Sequence, residues 1–248
     1  MIKLNRIQAP TELDPATAAA LTAEYAISGK DVWNKTYIRQ TLLRLSNKKC
    51  AYCECYIAEE SKYMEVDHFR PKSSHPDKVV QWDNLLPSCK RCNVNKWSYD
   101  VDVEGQIIDP TIQNPNDHLY LLNFQFRDKD VVGRNSIDVC NLNETDRLFM
   151  VRVLLSVEIN NSLYEIRENL ETYIAGSRST RSKNAITRGV SRLLELAGPT
   201  KQYSATIATL LLLDPTYIWI KTELNLLGLW AGLQAVESAA IPGILRGP

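Results

Sequence analysis

The stretch from Cys50 to Trp97, CAYCECYIAEESKYMEVDHFRPKSSHPDKVVQWDNLLPSCKRCNVNKW, decides how the chain is read. Two Cys-x-x-Cys pairs frame it, Cys50 with Cys53 and Cys89 with Cys92, about thirty-five residues apart. A Cys-x-x-Cys turn brings two sulfurs to one ion, and two such turns close a tetrahedral thiolate shell with no open position. A closed shell stabilises structure and does no chemistry, so these four residues are expected to hold one structural zinc. The separation is longer than in a simple zinc ribbon, which implies that something is inserted between the knuckles. Four unrelated core cysteines would be the plain alternative, but two correctly spaced pairs so close together seldom arise by chance. Cys55 is a spare able to compete with Cys53, and the solitary Cys140 reads as a small buried apolar residue.

The inserted segment carries the chemistry. A candidate strand, Tyr63 to Val66, leads into Asp67-His68, and Arg70-Pro71-Lys72 follow. Neighbours on an extended strand face opposite sides, so Asp67 and His68 can serve one site only at the strand's end. Asn84 sits just before the second knuckle, Asn93 follows its last cysteine, and Lys96 comes one helical turn later. Phosphodiester hydrolysis needs a base for the attacking water and an ion to neutralise charge on the phosphate and leaving oxygen. A carboxylate and an amide oxygen suit a hard divalent ion. A neutral imidazole suits the base, since its unperturbed pKa is ~6.5, and a partner on its far nitrogen fixes the tautomer. An Asp-His dipeptide alone would signal little; the cysteine frame with Asn84 and Asn93 in place gives it weight. His75, in a Ser-Ser-His-Pro loop, reads as a solvated loop histidine or a substrate contact, and His118 as structural. Arg70, Lys72, Lys90, Arg91 and Lys96 are candidates to clamp phosphates, with Arg70 and Lys96 favoured by their spacing from the metal residues.

This run resembles the HNH endonucleases, the ββα-metal fold, in their cysteine-framed form. The resemblance implies Asp67 as metal ligand, His68 as general base, Asn84 as the group orienting His68, and Asn93 as second metal ligand. The third motif letter is asparagine here rather than histidine, which keeps an oxygen donor for Mg²⁺ or Mn²⁺. CAYCE, VDHFRPKS, WDNLLPSCKRCNxxK and a later Ile-Asp-Pro are similar to the PtuB-like HNH subunits of Septu-type and retron-associated anti-phage systems. That likeness is specific over residues 50–97 and loose to about residue 150. It implies a nucleic-acid substrate, DNA by the habit of HNH enzymes, although a metal-plus-histidine site hydrolyses either backbone. It also implies an ABC/SMC-like ATPase partner (PtuA-like), with a retron reverse transcriptase and its msDNA in the retron-associated systems. The main rival is a zinc-binding nucleic-acid adaptor with a dead site. A RING-type module would need eight ligands in two interleaved sites, which six cysteines and three histidines at these spacings do not supply.

Outward from this core the chain is ordinary. Its 248 residues are 44% hydrophobic and 23% charged, with 29 basic and 29 acidic side chains, so any basic surface must be local. The N-terminus has no apolar h-region, and the most apolar runs fall short of the ~20 residues that span a bilayer. A cytoplasmic protein with no membrane contact is expected, in keeping with clustered cysteines read as metal ligands. Helices are expected over 15–27, 35–45, 143–173, 185–196, 203–212 and 217–236, and short extended segments at 107–108, 118–126 and 131–132. The fold class is therefore α+β: a zinc-stabilised HNH module embedded in a mostly helical chain. Residues 1–49 would be an N-terminal helical segment, 50–100 the module, and 101–248 short strands leading into a helical docking region. Residues 177–192 carry Arg178, Arg181, Lys183, Arg188 and Arg192 with no acidic residue, either an exposed loop and helix face or a phosphate contact. The apolar last helix is expected to pack in the core; docking of a partner subunit is the runner-up, with Trp219, Leu226 and Trp230 as its first contact candidates.

Overall fold

The computed structural model describes residues 1–59, 63–176 and 178–247. Asp14 and Gly29 bracket the first helix, α1 (Pro15–Ser28). Asp14 accepts the Thr17 N–H, proline takes the first helical position, and Gly29 closes the end at φ 64°. Helix α2 (Thr36–Leu45) buries Ile38, Leu42 and Leu45 on one stripe. Strand β1 (Met64–His68) pairs antiparallel with β2 (Leu85–Cys89), in a register that sets Met64 opposite Cys89 and His68 opposite Leu85. Helix α3 (Lys90–Lys96) follows β2 directly. The order β1, β2, α3 is the ββα unit; α2 packs on its two strands, and α1 on the 3-10 turn Pro76–Lys78 in the loop between them.

Beyond it come a short helix α4 (Pro115–His118), then β3 (Leu119–Leu122) and β4 (Gln125–Asp128), which form a second two-stranded sheet. Two expectations change here. Val131-Val132 open a helix, α5 (Val131–Val139), because Asp130 caps the Gly133 N–H. A Cβ at position 133 would collide with the His118 carbonyl, so glycine is required there. Ile107 and Ile108 are buried but form no strand; the Ile108 N–H binds Ser136 Oγ (2.8 Å) instead of a ladder partner.

The chain divides into two compact units, Met1–Leu119 with Phe126–Asn143, and Tyr120–Gln125 with Glu144–Pro248. In the second, a π-helical turn (Thr145–Phe149) runs into α6 (Met150–Ile174), followed by α7 (Thr180–Leu196), α8 (Ser204–Leu212), α9 (Pro215–Leu226) and α10 (Gln234–Ala240). Leu163, Leu170, Val190, Leu211 and Ile220 lie in the core that these helices share. Ser179 caps α7 through the Ser182 N–H, so the basic segment is helical from Thr180 on; Ser177 lies outside the described residues. The single helix expected over 217–236 is two, interrupted at Gly228 with φ 69°. Trp230 is a core residue, packed edge-on to Tyr217, while the Arg167 guanidinium covers Trp219 and Leu226 alone of the three stays well exposed. No helix among the described residues is long and apolar enough to cross a membrane.

Candidate active site

Four sulfurs set the frame. The turn carrying Cys50 and Cys53 is closed by the Glu54 N–H on the Cys50 carbonyl (3.0 Å) and fastened to β2 by the Ala51 N–H on the Pro87 carbonyl (2.8 Å). Cys89 ends β2 and caps α3, its sulfur accepting the Cys92 N–H at 3.5 Å. The Sγ atoms of Cys50, Cys53, Cys89 and Cys92 all lie within 4.8 Å of one another, a donor set and compactness that fit a closed zinc shell. Burial pushes the Cys50 thiol up, while sulfur hydrogen bonds led by Cys50 hold Cys53 and Cys89 low. A metal takes thiolates, so an ion entering this shell would displace the remaining protons. Cys55 stands beside it, 3.4 Å from the Cys53 sulfur, and Cys140 is fully buried.

Asp67 and His68 are the last two residues of β1, and both line a cleft of about 420 Å³. The strand ends at once after them, where the Phe69 N–H binds the Asn84 carbonyl at 2.8 Å. Asp67 is buried, with Tyr52 donating to Oδ2 at 2.5 Å and Lys96 Nζ 3.3 Å from Oδ1. Each carboxylate oxygen keeps a further lone pair. Asn93, on the same turn of α3 as Cys92, lines the cleft with its amide in no hydrogen bond among the described residues. Asp67 and Asn93 are hard oxygen donors on one cavity, which fits Mg²⁺ or Mn²⁺ and not a soft ion.

The imidazole of His68 is held from its far side. Nε2 lies 2.8 Å from the Val79 carbonyl. A carbonyl only accepts, so Nε2 carries the proton and Nδ1 keeps a free lone pair. Burial drives the His68 pKa down to about 4, so the ring is neutral at pH 7. Trp33 stands edge-to-face with it, centroids 4.7 Å apart at 88°. Lys72 Nζ lies 4.7 Å above the Trp33 ring and lines the same cleft.

Asn84, expected on the imidazole, acts one step away. Its Oδ1 accepts the Arg70 N–H at 2.7 Å, and its Nδ2 donates to the carbonyls of Arg70 (3.0 Å) and Lys78 (3.2 Å). It therefore clamps both ends of the loop whose next residue, Val79, supplies the imidazole's partner. The cations also sort themselves. Lys96 is fully buried, its ammonium on Asp67 and on the His68 carbonyl (2.7 Å), and so has no exposed surface for a phosphate. Arg70 makes a two-pronged pair with Asp102 (2.6 and 3.1 Å). His75 is tied to Asp100 at 3.0 Å, in one group with Asp102. Lys72 is the basic side chain of the expected set that faces the cleft.

Sequence reasoning missed three contributors. Tyr52 lies between the two cysteines of the first knuckle, so its place was signalled although its bond to Asp67 was not. Val79 acts through a backbone atom, which residue identity does not advertise. Trp33 comes from the helical segment ahead of the module.

Among known proteins, the HNH endonuclease family matches over residues 50–98. The chain is 41% identical over 233 residues to the Septu protein PtuB of Bacillus thuringiensis, spanning 93% of this chain and 89% of that one. A Septu protein PtuB of Bacillus mycoides (strain KBAB4) is 26% identical over 54% of this chain and 56% of its own length. Protein ea31 of Escherichia phage lambda is 32% identical over 80 residues, a quarter of its own length (25%). No solved structure matches.

Proposed function

Because the chain belongs to the Septu PtuB family, we propose that it is the nuclease subunit of an anti-phage defence complex, cutting phosphodiester bonds of DNA at its HNH site. The observation that carries this reading is the cleft itself, where Asp67 and His68 end β1 and Asn93 faces them from α3. A divalent ion held by Asp67 and Asn93, Mg²⁺ or Mn²⁺, would neutralise charge on the phosphate and the departing oxygen. His68 Nδ1 takes one proton from the attacking water while Nε2–H stays on Val79. The hydroxyl oxygen bonds to phosphorus as the P–O bond to the sugar breaks, and the departing alkoxide, whose charge the ion would offset, takes a proton from water. Cys50, Cys53, Cys89 and Cys92 hold a structural zinc that fixes the start of α3, and with it Asn93. The partner is an ABC/SMC-like ATPase of the PtuA type, which delivers substrate and gates cutting.

The test is purification with the ATPase encoded beside this chain, then cleavage of DNA and RNA pools with Mg²⁺ and with EDTA. His68→Ala is expected to lose at least ~10²-fold in cutting, the usual scale of general-base removal, while zinc content and nucleic-acid binding hold. Wild-type cutting by that variant would overturn the assignment. A complex that binds but never cuts, with Mg²⁺ or Mn²⁺ present, would establish the inactive adaptor instead.

A further inference from the structure

Trp97 is held where a glycine belongs. Its N–H closes α3 on the Asn93 carbonyl (2.9 Å), and the Tyr99 N–H returns to the Lys96 carbonyl (2.9 Å), making Lys96–Tyr99 a tight turn. The Trp97 backbone lies at φ 46°, ψ −122°, close to the about +60°, −120° of the first central residue of a type II′ turn. Glycine dominates that position because a Cβ is crowded there. A bulky residue in such a conformation is a true outlier, and strain of this kind persists where a site uses it. The indole is nevertheless 77% exposed, so burial does not explain the choice of residue. Among the described residues it stacks on no aromatic ring. It lines the same cleft as Asp67, His68 and Asn93, and Val94, one helical turn back and 51% exposed, extends the apolar rim.

The charges of the cleft point the same way. Asp31, Glu65 and Asp67 line it against Lys72, Lys96 being already paired with Asp67, and the whole chain carries no net charge. The protein's own side chains thus supply little Coulomb grip on a polyanion here. An aromatic face supplies grip without charge, since base stacking on a side chain is sequence-tolerant and every base has a π-face.

We propose that Trp97 is a stacking platform for an unpaired base beside the scissile phosphate, and that substrate therefore enters the cleft as a single strand or an unstacked nucleotide. In an intact duplex each base is covered by its neighbours, so no face is free to lie on the indole. The inference rests on the nuclease reading above for the identity of the cleft, and the two can fail separately.

The test uses the full-length, zinc-loaded chain carrying His68→Ala, so that binding is measured without cutting. The probes are a fluorescent oligothymidylate, an abasic strand of equal length and a closed circular duplex without ends, each titrated at several salt concentrations. Trp97→Gly and Trp97→Ala should weaken oligothymidylate binding by about 5- to 150-fold, the range of one stacked base, and Trp97→Phe should retain most of it. The salt dependence should not change, because no phosphate contact is removed. The abasic strand and the duplex should bind parent and variants alike. Trp97→Gly restores the residue this turn favours, so its Tm should hold or rise.

Unchanged oligothymidylate affinity in Trp97→Gly would overturn the proposal. So would an equal loss on the abasic strand or the duplex, or a fall in Tm showing that the indole is a packing element. Loss of the partner ATPase with oligonucleotide binding intact would make Trp97 a protein contact and overturn it too. Parallel cleavage by the wild-type chain separates the two readings. Mg²⁺-dependent cutting with a silent Trp97→Gly defeats the platform alone. Trp97-dependent binding without any cutting defeats the nuclease alone.

Discussion

At Asp67 two buried neighbours share one carboxylate, each on its own oxygen. Lys96 sits 3.3 Å from Oδ1 with its side chain fully covered, and Tyr52 donates to Oδ2. Removing one member of a buried ion pair leaves the other charged and unsolvated, which typically costs about 3–5 kcal/mol. Lys96→Met is therefore expected to lower the Tm strongly and to reduce cutting. Adding Asp67→Asn removes the orphaned charge, so the double variant should recover stability while remaining inactive. Chemical denaturation with a parallel cleavage assay decides it. If Lys96→Met is as stable as the parent, the pair is not the buried contact described here.

At the level of elements, what the sequence showed and what it hid follow from which atoms do the work. The cysteine pairs and the Asp67-His68 ending of β1 were legible because metal and proton chemistry demand particular side chains at particular spacings. The Val79 carbonyl was not, because every residue offers one. Asn84 was found by type but placed one contact too close to the imidazole: its amide satisfies the backbone at Arg70 and Lys78, a fit that only the folded loop defines. Val131-Val132 read as strand by propensity, yet a capping Asp130 and an obligatory Gly133 made them a helix. Helix α7 gives a sharper test. Arg178, Arg181, Arg188 and Arg192 are exposed, while Ile186, Val190 and Leu194 face the core. Reversing several of these charges should weaken nucleic-acid binding at all sequences alike and flatten its salt dependence, if the face lies along a phosphate backbone. A titration across salt concentrations that leaves both unchanged would make the face solvated surface.

For the molecule as a whole, metal binding is expected to act as folding energy for the ββα unit, because the ligands tie the Cys50–Cys53 turn to the end of β2 and the start of α3. Elemental analysis should find one zinc for each chain, bound by Cys50, Cys53, Cys89 and Cys92. Cys89→Ser is a clean probe because serine is a good N-cap and keeps the start of α3 capped, so what it loses is the sulfur ligand. It should release zinc and loosen the first compact unit, while the second, with its own core, stays folded. Circular dichroism with limited proteolysis would register that split. Full zinc retention would mean the ligand set is misassigned. The two-unit division itself was hidden from the sequence, since residues 120–125 belong with a stretch that resumes only at 144.

Cys92 and Asn93 are adjacent on one short helix, and that adjacency makes α3 a phase ruler. Side chains on a helix turn by about 100° per residue, so length errors and substitutions have different consequences here. A single alanine inserted after Cys92 would leave all four sulfurs in place yet swing Asn93 about a quarter-turn off the cleft and Lys96 as far from Asp67. Such a variant should carry its zinc and be silent as a nuclease, whereas the same insertion after the exposed Gly228 should be tolerated. Deletion and insertion scanning, scored for metal and cutting together, would read this spacing directly. In a lineage under phage pressure, α3 should then be free to change its exposed letters but not its length.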